Sequence, residues 1–363
     1  MGVTMPTNDF WAGKRVLVTG HTGFKGSWLT LWLARLGADV TGLALAPPTD
    51  LALFELANVA TVCTSHLCDI RDAAGVNRIV SAARPEIVLH LAAQPLVRES
   101  YREPVATFAT NVLGTVHVLE AIRENCGVRA AVIVTTDKVY REDTATAAIA
   151  LPAAKGYAET ARLGGHDPYA ASKAASEIVT ESYRHAFLQK TGCAVATARA
   201  GNVIGGGDWS ADRILPDAIR AWLAGQPLVV RRPDAVRPWQ HVLDPLAGYL
   251  QLAENLWHHP SLASAYNFGP PPEAAASVRT VVQLAREALG RGEAIFQKAA
   301  EGPHESAWLA LDSSKAAAVL GFRPRFDLPT AVARTVGWYC RQSQGEPAAS
   351  LCSADIDAFE AAP

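Results

Sequence analysis

Tyr169 and Lys173 stand four residues apart in Tyr169-Ala170-Ala171-Ser172-Lys173, directly after Pro168, a spacing that puts a phenol and an amine on one face of a helix. An ammonium beside a phenol favours phenolate, and a phenolate can take a hydroxyl proton while hydride leaves the same carbon for an acceptor. A solvated pair on any helix shares that spacing, so the pair gains weight from a second signal far upstream. Gly20-His21-Thr22-Gly23-Phe24-Lys25-Gly26 follows an apolar run and opens a helical pattern. Glycine allows tight or positive-φ backbone close to a pyrophosphate, and a helix N-terminus offers N–H donors and partial positive charge to that anion. The loop reads as a dinucleotide cradle, against the alternative of a plain strand-to-helix turn. NAD sites usually carry an acid about 20 residues beyond the first glycine. Gly42 to Ala46 has none, Asp39 comes early and Asp50 lies beyond two prolines, so NAD and NADP are weakly separated. Asp69-Ile70 either flanks the adenine or opens a helix as an ordinary N-cap.

The elements that must hold these groups follow a βα rhythm. Arg15 to Thr19 is the first β-like run, followed by Gly26 to Leu36, where Trp28/Trp32 and Leu29/Leu33/Leu36 recur at helical spacing. Further β-like runs fall at Asp39 to Leu45, Ile87 to Leu91, Ala131 to Thr135 and Ala194 to Ala198, separated by helical patterns near 73–83, 105–123 and 170–189. This alternation predicts an α/β fold, a Rossmann-type doubly wound parallel sheet covered on both faces. Past Gly201 the rhythm changes to a Gly-rich turn, a helix near Pro216 to Leu223 and a strand at Leu228 to Val230, the start of a smaller mixed α/β lobe. The predicted division is residues 10–201 with about 239–267 for the dinucleotide, and about 202–238 with 268–345 for the substrate. In the tail, 346–363, Leu351, Ile356 and Phe359 could line one side of a short helix, docked or frayed.

The 363 residues, 49% hydrophobic and 19% charged, suit a folded chain of one large domain or two sharing a core. With 33 Lys and Arg against 35 Asp and Glu, nothing offers a polycation to a nucleic acid, and small molecules become the expected partners. No uninterrupted apolar stretch reaches the roughly 18–20 residues of a membrane span, and Met1 to Asn8 lacks the pattern of a secretory signal, so a cytoplasmic location is expected. Six scattered cysteines without a Cys-x-x-Cys pair and histidines without i, i+4 spacing argue against a metal site.

With both signals in place the chain resembles the extended short-chain dehydrogenase/reductase family, also described as NAD-dependent epimerases and dehydratases. Phe10-Trp11-x-Gly13-Lys14, the glycine loop with Ser27-Trp28, Thr136-Asp137-Lys138, Arg199 to Trp209, Arg237 to Val242 and Asn267 to Pro270 make it similar to the CDP-glucose 4,6-dehydratase group of that family. The resemblance covers nearly the whole chain.

It implies a lyase that converts CDP-glucose to CDP-4-keto-6-deoxyglucose, on the way to deoxysugars of surface polysaccharide, with tightly held NAD. Tyr169 takes the C4 hydroxyl proton as C4 is oxidised, water leaves across C5 and C6, and the hydride returns to C6. Thr135 or Thr136 hydrogen-bonds the sugar. Asp137, held protonated by burial, is the acid toward O6, and Lys138 is either the C5 base or an electrostatic stabiliser of the enolate. The resemblance assigns the cofactor to Gly20, Thr22, Gly23, Phe24, Lys25, Gly26, Asp69, Ile70, Leu91, Ala92, Ala93, Gln94, Asn111, Thr135, Tyr169 and Lys173. Asn202, Arg213 and Arg237 carry the donors a diphosphate needs. Gln94 and His241 join them on the substrate side. A homodimer or homotetramer is implied. The departure from the group is Arg141 to Lys155, Ala-rich and leading to Gly156-Tyr157-Ala158-Glu159, which is either a tolerated insertion or a rewritten pocket wall. The competing readings are a dehydratase or 4-epimerase for another nucleotide sugar, and an NAD(P)-binding regulatory scaffold.

Overall fold

A computed structural model describes residues 6–47, 49–141, 156–297 and 306–363. The unusual segment singled out above falls, over 142–155, outside the described residues. Six strands, β1 (Arg15–Thr19), β2 (Asp39–Ala44), β3 (Thr64–Leu67), β4 (Ile87–His90), β5 (Ala130–Val134) and β6 (Ala194–Ala200), join Ala265–Phe268 in one seven-stranded sheet. Its order is Ala265–Phe268, β6, β5, β4, β1, β2, β3, and every pairing is parallel. The doubly wound sheet expected from the βα rhythm is present.

The two-residue period of a strand explains how both faces are apolar. Val16, Val18, Leu89 and Val132 join the core of Trp28, Leu29, Trp32 and Leu250, while Leu17, Val88, Ile133 and Val195 join Val76, Val80, Val118 and Ile122 opposite. Strand order reverses between β1 and β4, so the crevice at their carboxyl ends is the switch point where such sheets bind ligands.

Beyond Gly201 the helix Ile214–Leu223 and the parallel pair Leu228–Val230 with Ala294–Phe296 build the smaller lobe. The helix Leu243–His258 returns to the sheet and packs on β5 and β6. The tail is docked: Ala348–Ala361 is helical, buries Leu351, Ile356 and Phe359, and accepts a hydrogen bond from Trp32 Nε1 on Glu360 Oε1 at 3.0 Å.

Although no uninterrupted apolar run reaches membrane-spanning length, the helix Pro104–Glu124 is, among the described residues, long and apolar enough by length and composition to cross a membrane. Its Thr115, Val118, Leu119 and Ile122 are buried in this fold, while Val105, Phe108 and Leu113 are exposed.

Candidate active site

The glycine loop fits a dinucleotide at two positions where nothing larger would. Gly20 has φ +79°, and a Cβ there would lie 2.8 Å from the Ala92 backbone N. A Cβ on Gly26 would lie 2.0 Å from the Gly20 carbonyl oxygen. The helix Phe24–Arg35 starts without a side-chain cap or an acidic residue in its first turn, leaving its opening N–H groups to phosphate oxygens. Ser27 Oγ donates to the His21 carbonyl at 3.0 Å and Thr22 Oγ1 to the Leu45 carbonyl at 2.9 Å, which fixes the loop. His21 itself fills the space over Gly42 and pairs through Nε2 with Ser65 Oγ at 2.7 Å. Burial brings its pKa down to about 4, so it is neutral at physiological pH.

At the end of β1, Thr19 Oγ1 accepts from the backbone N–H groups of Leu91 and Ala92 just past β4, both at 3.1 Å, and pairs with His90 Nδ1 at 2.6 Å. These contacts hold Leu91, Ala92 and Ala93 beside the glycine loop. Asn111, in a π-helical turn at Ala109–Leu113, accepts from Gln94 N at 2.8 Å and donates to Gln94 O at 3.1 Å and Ser172 Oγ at 2.9 Å. It clamps the β4 turn to the helix Pro168–Ala186. Gln94 donates to Thr107 Oγ1 at 2.9 Å and to the Leu96 carbonyl at 3.1 Å, so its amide braces the turn after β4. Asp69 is not an N-cap: Asp72 caps Ala73–Ala83 by accepting from Gly75 N at 3.0 Å, and Asp69 pairs with Arg71. Ile70 packs against Gly114, where a Cβ would meet it at 2.5 Å.

Tyr169 and Lys173 share the buried face of Pro168–Ala186, whose N-cap Asp167 accepts from Ala170 N at 2.8 Å. Burial raises the Tyr169 pKa; the Thr136 hydroxyl and the Arg213 guanidinium pull it down, while Asp137 and Asp167 push it up. The lowering expected from Lys173 is not found: burial outweighs the opposing pulls of Thr136 and Arg213, and Lys173 Nζ turns to the Val134 carbonyl at 2.8 Å. Burial, with the charge of Lys25, lowers Lys173 to about 8, against an opposing pull from Glu177.

The pair Thr135/Thr136 separates cleanly. Thr135 Oγ1 donates to Glu177, which is also held by Thr197 Oγ1 at 2.6 Å and by Arg199, so the Thr135 hydroxyl braces β5 against the helix. Thr136, one residue on, faces Tyr169 and donates to Asp137 Oδ1 at 3.0 Å. Asp137 is 1% exposed, and its Oδ2 is buried with no hydrogen-bond partner. Lys138 Nζ lies 3.4 Å from Asp137 Oδ1 with its side chain partly exposed to the cleft.

On the substrate side a cleft of about 450 Å³ is lined by Asn202, Arg213, Arg237, Arg231, Val230 and Trp239. It adjoins a smaller one of about 170 Å³ that reaches Lys138, Tyr140 and His166. Asn202 Oδ1 is buried without a partner, an acceptor available to a ligand. His241 is the exception among the substrate candidates. It is fully buried, its ring stands edge-on to Trp28 and Phe326, and burial lowers its pKa to about 3, so it is a packed core imidazole.

One group escaped the sequence reading, and another makes a contact the sequence did not predict. Glu177 continues the four-residue spacing of Tyr169 and Lys173 and forms a buried pair with Arg199 at 2.9 Å; that spacing was the available signal. Lys25 was placed with the cofactor loop, yet its Nζ reaches Tyr249 Oη at 3.5 Å, and burial with the neighbouring Arg213 lowers it to about 8. No group of three or more potential metal ligands occurs among the described residues.

Residues 16–269 match the NAD dependent epimerase/dehydratase family. A CDP-glucose 4,6-dehydratase of Salmonella typhimurium is 42% identical over 348 residues, 94% of this chain and 95% of that one. A dTDP-glucose 4,6-dehydratase of Streptomyces antibioticus is 31% identical, over 89% and 92% of the two chains. Among solved structures, the dTDP-glucose 4,6-dehydratase of Streptomyces venezuelae with NAD and TYD bound superposes with a TM-score of 0.74 at 26% identity, covering 91% of this chain and 98% of that one. The Thermus thermophilus UDP-glucose 4-epimerase complex with NAD gives a TM-score of 0.75 at 30% identity, with 90% and 98% covered. A glycine cradle at the sheet's switch point, a buried Tyr and Lys facing it and an arginine-lined cleft alongside agree with those matches: the chain belongs to the NAD dependent epimerase/dehydratase family.

Proposed function

We propose that the protein is a lyase that dehydrates CDP-glucose to CDP-4-keto-6-deoxyglucose, with NAD held at the glycine loop. The reading is supported by the likeness to the Salmonella typhimurium enzyme and by one observation above the rest, the buried Asp137 carboxyl with a free oxygen beside Tyr169. The nucleotide sugar lies between a dinucleotide lobe, residues 10–201 with 239–267, and a substrate lobe, residues 202–238 with 268–345. NAD held at the Gly20–Gly26 loop would supply the acceptor for the C4 hydride and the donor that gives it to C6 as C5 regains a proton.

The chain's own groups do the rest. Tyr169, hydrogen-bonded by Thr136, takes the C4 hydroxyl proton, and the positive charge of Arg213 offsets the cost of a buried phenolate. The 4-keto group acidifies C5–H. Asp137 gives its proton to O6 as water leaves, and Lys138 faces C5, as base when neutral or as a cation stabilising the enolate. Asn202, Arg213 and Arg237 hold the diphosphate. A 4-epimerase would share Tyr169 and Lys173 but has no need of an acid at O6, so Asp137 favours dehydration. Two copies of the chain pair through the apolar face formed by Val105, Phe108, Leu113 and Ile178, all exposed on two helices that pack together.

The test is incubation with CDP-glucose and, separately, with dTDP-, UDP- and GDP-hexoses, followed for 4-keto product and for solvent deuterium at C5. CDP-glucose should give both. Dehydration of none of them by protein that binds dinucleotide overturns the assignment.

A further inference from the structure

The two clefts share six lining residues, Arg98, Asn202, Asp212, Arg213, Arg231 and Arg237, so four arginines meet where the larger space joins the smaller. Two of them are bound to one carboxylate. Asp212 Oδ1 accepts from Arg231 Nη2 at 3.1 Å and lies 3.6 Å from Arg98 Nη1. Arg98 belongs to the helix Val97–Arg102 of the sheet-bearing lobe and Arg231 follows the strand Leu228–Val230 of the other, so this carboxylate bridges the lobes across the cleft. The next residue, Arg213, makes a second crossing, from Nη2 to the Pro95 carbonyl at 3.3 Å.

The other acids that line the cleft are engaged elsewhere: Asp217 pairs with Arg220, and Asp208 Oδ1 accepts from Ser210 N at 3.1 Å. Asp212 has φ +59°, a left-handed conformation that L-residues other than Asn and Asp seldom take. In this conformation its carboxylate meets both guanidinium groups.

Resting on the reading of this cleft as a nucleotide-sugar site, we infer that Asp212 is an internal competitor for the diphosphate: it occupies Arg98 and Arg231 until a nucleoside diphosphate group displaces it and takes both arginines. A diphosphate can do so because it brings more acceptor oxygens and more charge than one carboxylate. A monophosphate, with fewer acceptors, displaces it less well, so Asp212 sharpens selection for the diphosphate. The side chains of the bridge are about two-fifths exposed or less, so the competition is worth only a modest factor.

Calorimetric titration of the full chain with CDP and with CMP tests this. Asp212→Asn keeps the size and tolerates the same backbone conformation while removing the charge. It should bind CDP more tightly than the wild type, by up to about fivefold, and should narrow the preference for CDP over CMP. Arg231→Gln should weaken CDP binding by a similar factor. Unchanged or weaker CDP binding by Asp212→Asn, with wild-type binding intact, overturns the inference alone. Failure of wild type and variant alike to bind CDP, while both bind NAD, overturns the reading of the cleft and the inference with it.

Discussion

At the scale of single residues, the site depends on environment more than on residue type. Thr135 and Thr136 are chemically identical neighbours, yet alternation about the end of β5 sends one hydroxyl to Glu177 and the other to Tyr169 and Asp137. Asp137 suits the acid role because its Oδ2 is buried without a partner, whereas Asp69 is tied to Arg71. Asp137→Asn should therefore retain oxidation at C4 but slow loss of water by about 10²- to 10⁴-fold, the usual contribution of a positioned acid. Rapid mixing with CDP-glucose, watching reduced nicotinamide accumulate, separates the steps. Equal slowing of both would remove Asp137 from the acid role.

At the scale of elements, the cofactor cradle is a matter of clearance between one strand–turn–helix unit and the turn after β4. Gly26 is the sharpest case, since its Cβ would overlap the Gly20 carbonyl on backbone that cannot move without displacing the helix. Gly26→Ala should lower affinity for NAD by at least about tenfold while leaving the sheet folded, because the loop loses its approach to the pyrophosphate. Fluorescence titration with NAD, alongside circular dichroism, checks both halves, and wild-type affinity in a folded Gly26→Ala protein would contradict the cradle. The Tyr169, Lys173, Glu177 row shows the same logic on a helix: one four-residue repeat supplies the proton acceptor, the cation and the brace.

At the scale of the molecule, a buried polar chain ties together segments far apart in sequence. Arg199 Nη1 donates to Tyr140 Oη at 2.9 Å, Tyr140 Oη to Asn267 Oδ1 at 2.6 Å, and Asn267 Nδ2 to the Asp312 carbonyl at 3.0 Å. Such a chain is costly to leave half-satisfied, which favours one relative placement of its segments. Beyond the single chain, the proposed pairing of two copies rests on the exposed apolar face of Val105 and Ile178. Light scattering should give twice the 38.6 kDa chain mass. Val105→Glu with Ile178→Glu should shift that mass to the single chain, and a wild type that runs as a single chain at micromolar concentration would refute the pairing.

The sequence by itself determined what is local. The glycine loop, the four-residue step from Tyr169 to Lys173, the βα rhythm and the helical stripe of Leu351, Ile356 and Phe359 were all readable because each depends on the conformation of one short segment. What only the tertiary structure decided is which side chains face one another across segments distant in sequence. Thr136 and not Thr135 reaches Tyr169, burial and not the charge of Lys173 sets the direction of the phenol's pKa, His241 belongs to the core and not the cleft, and Glu177 finds Arg199. Those outcomes follow from strand register, from the buried side of each helix and from the closure of one lobe on the other, and no local spacing encodes them.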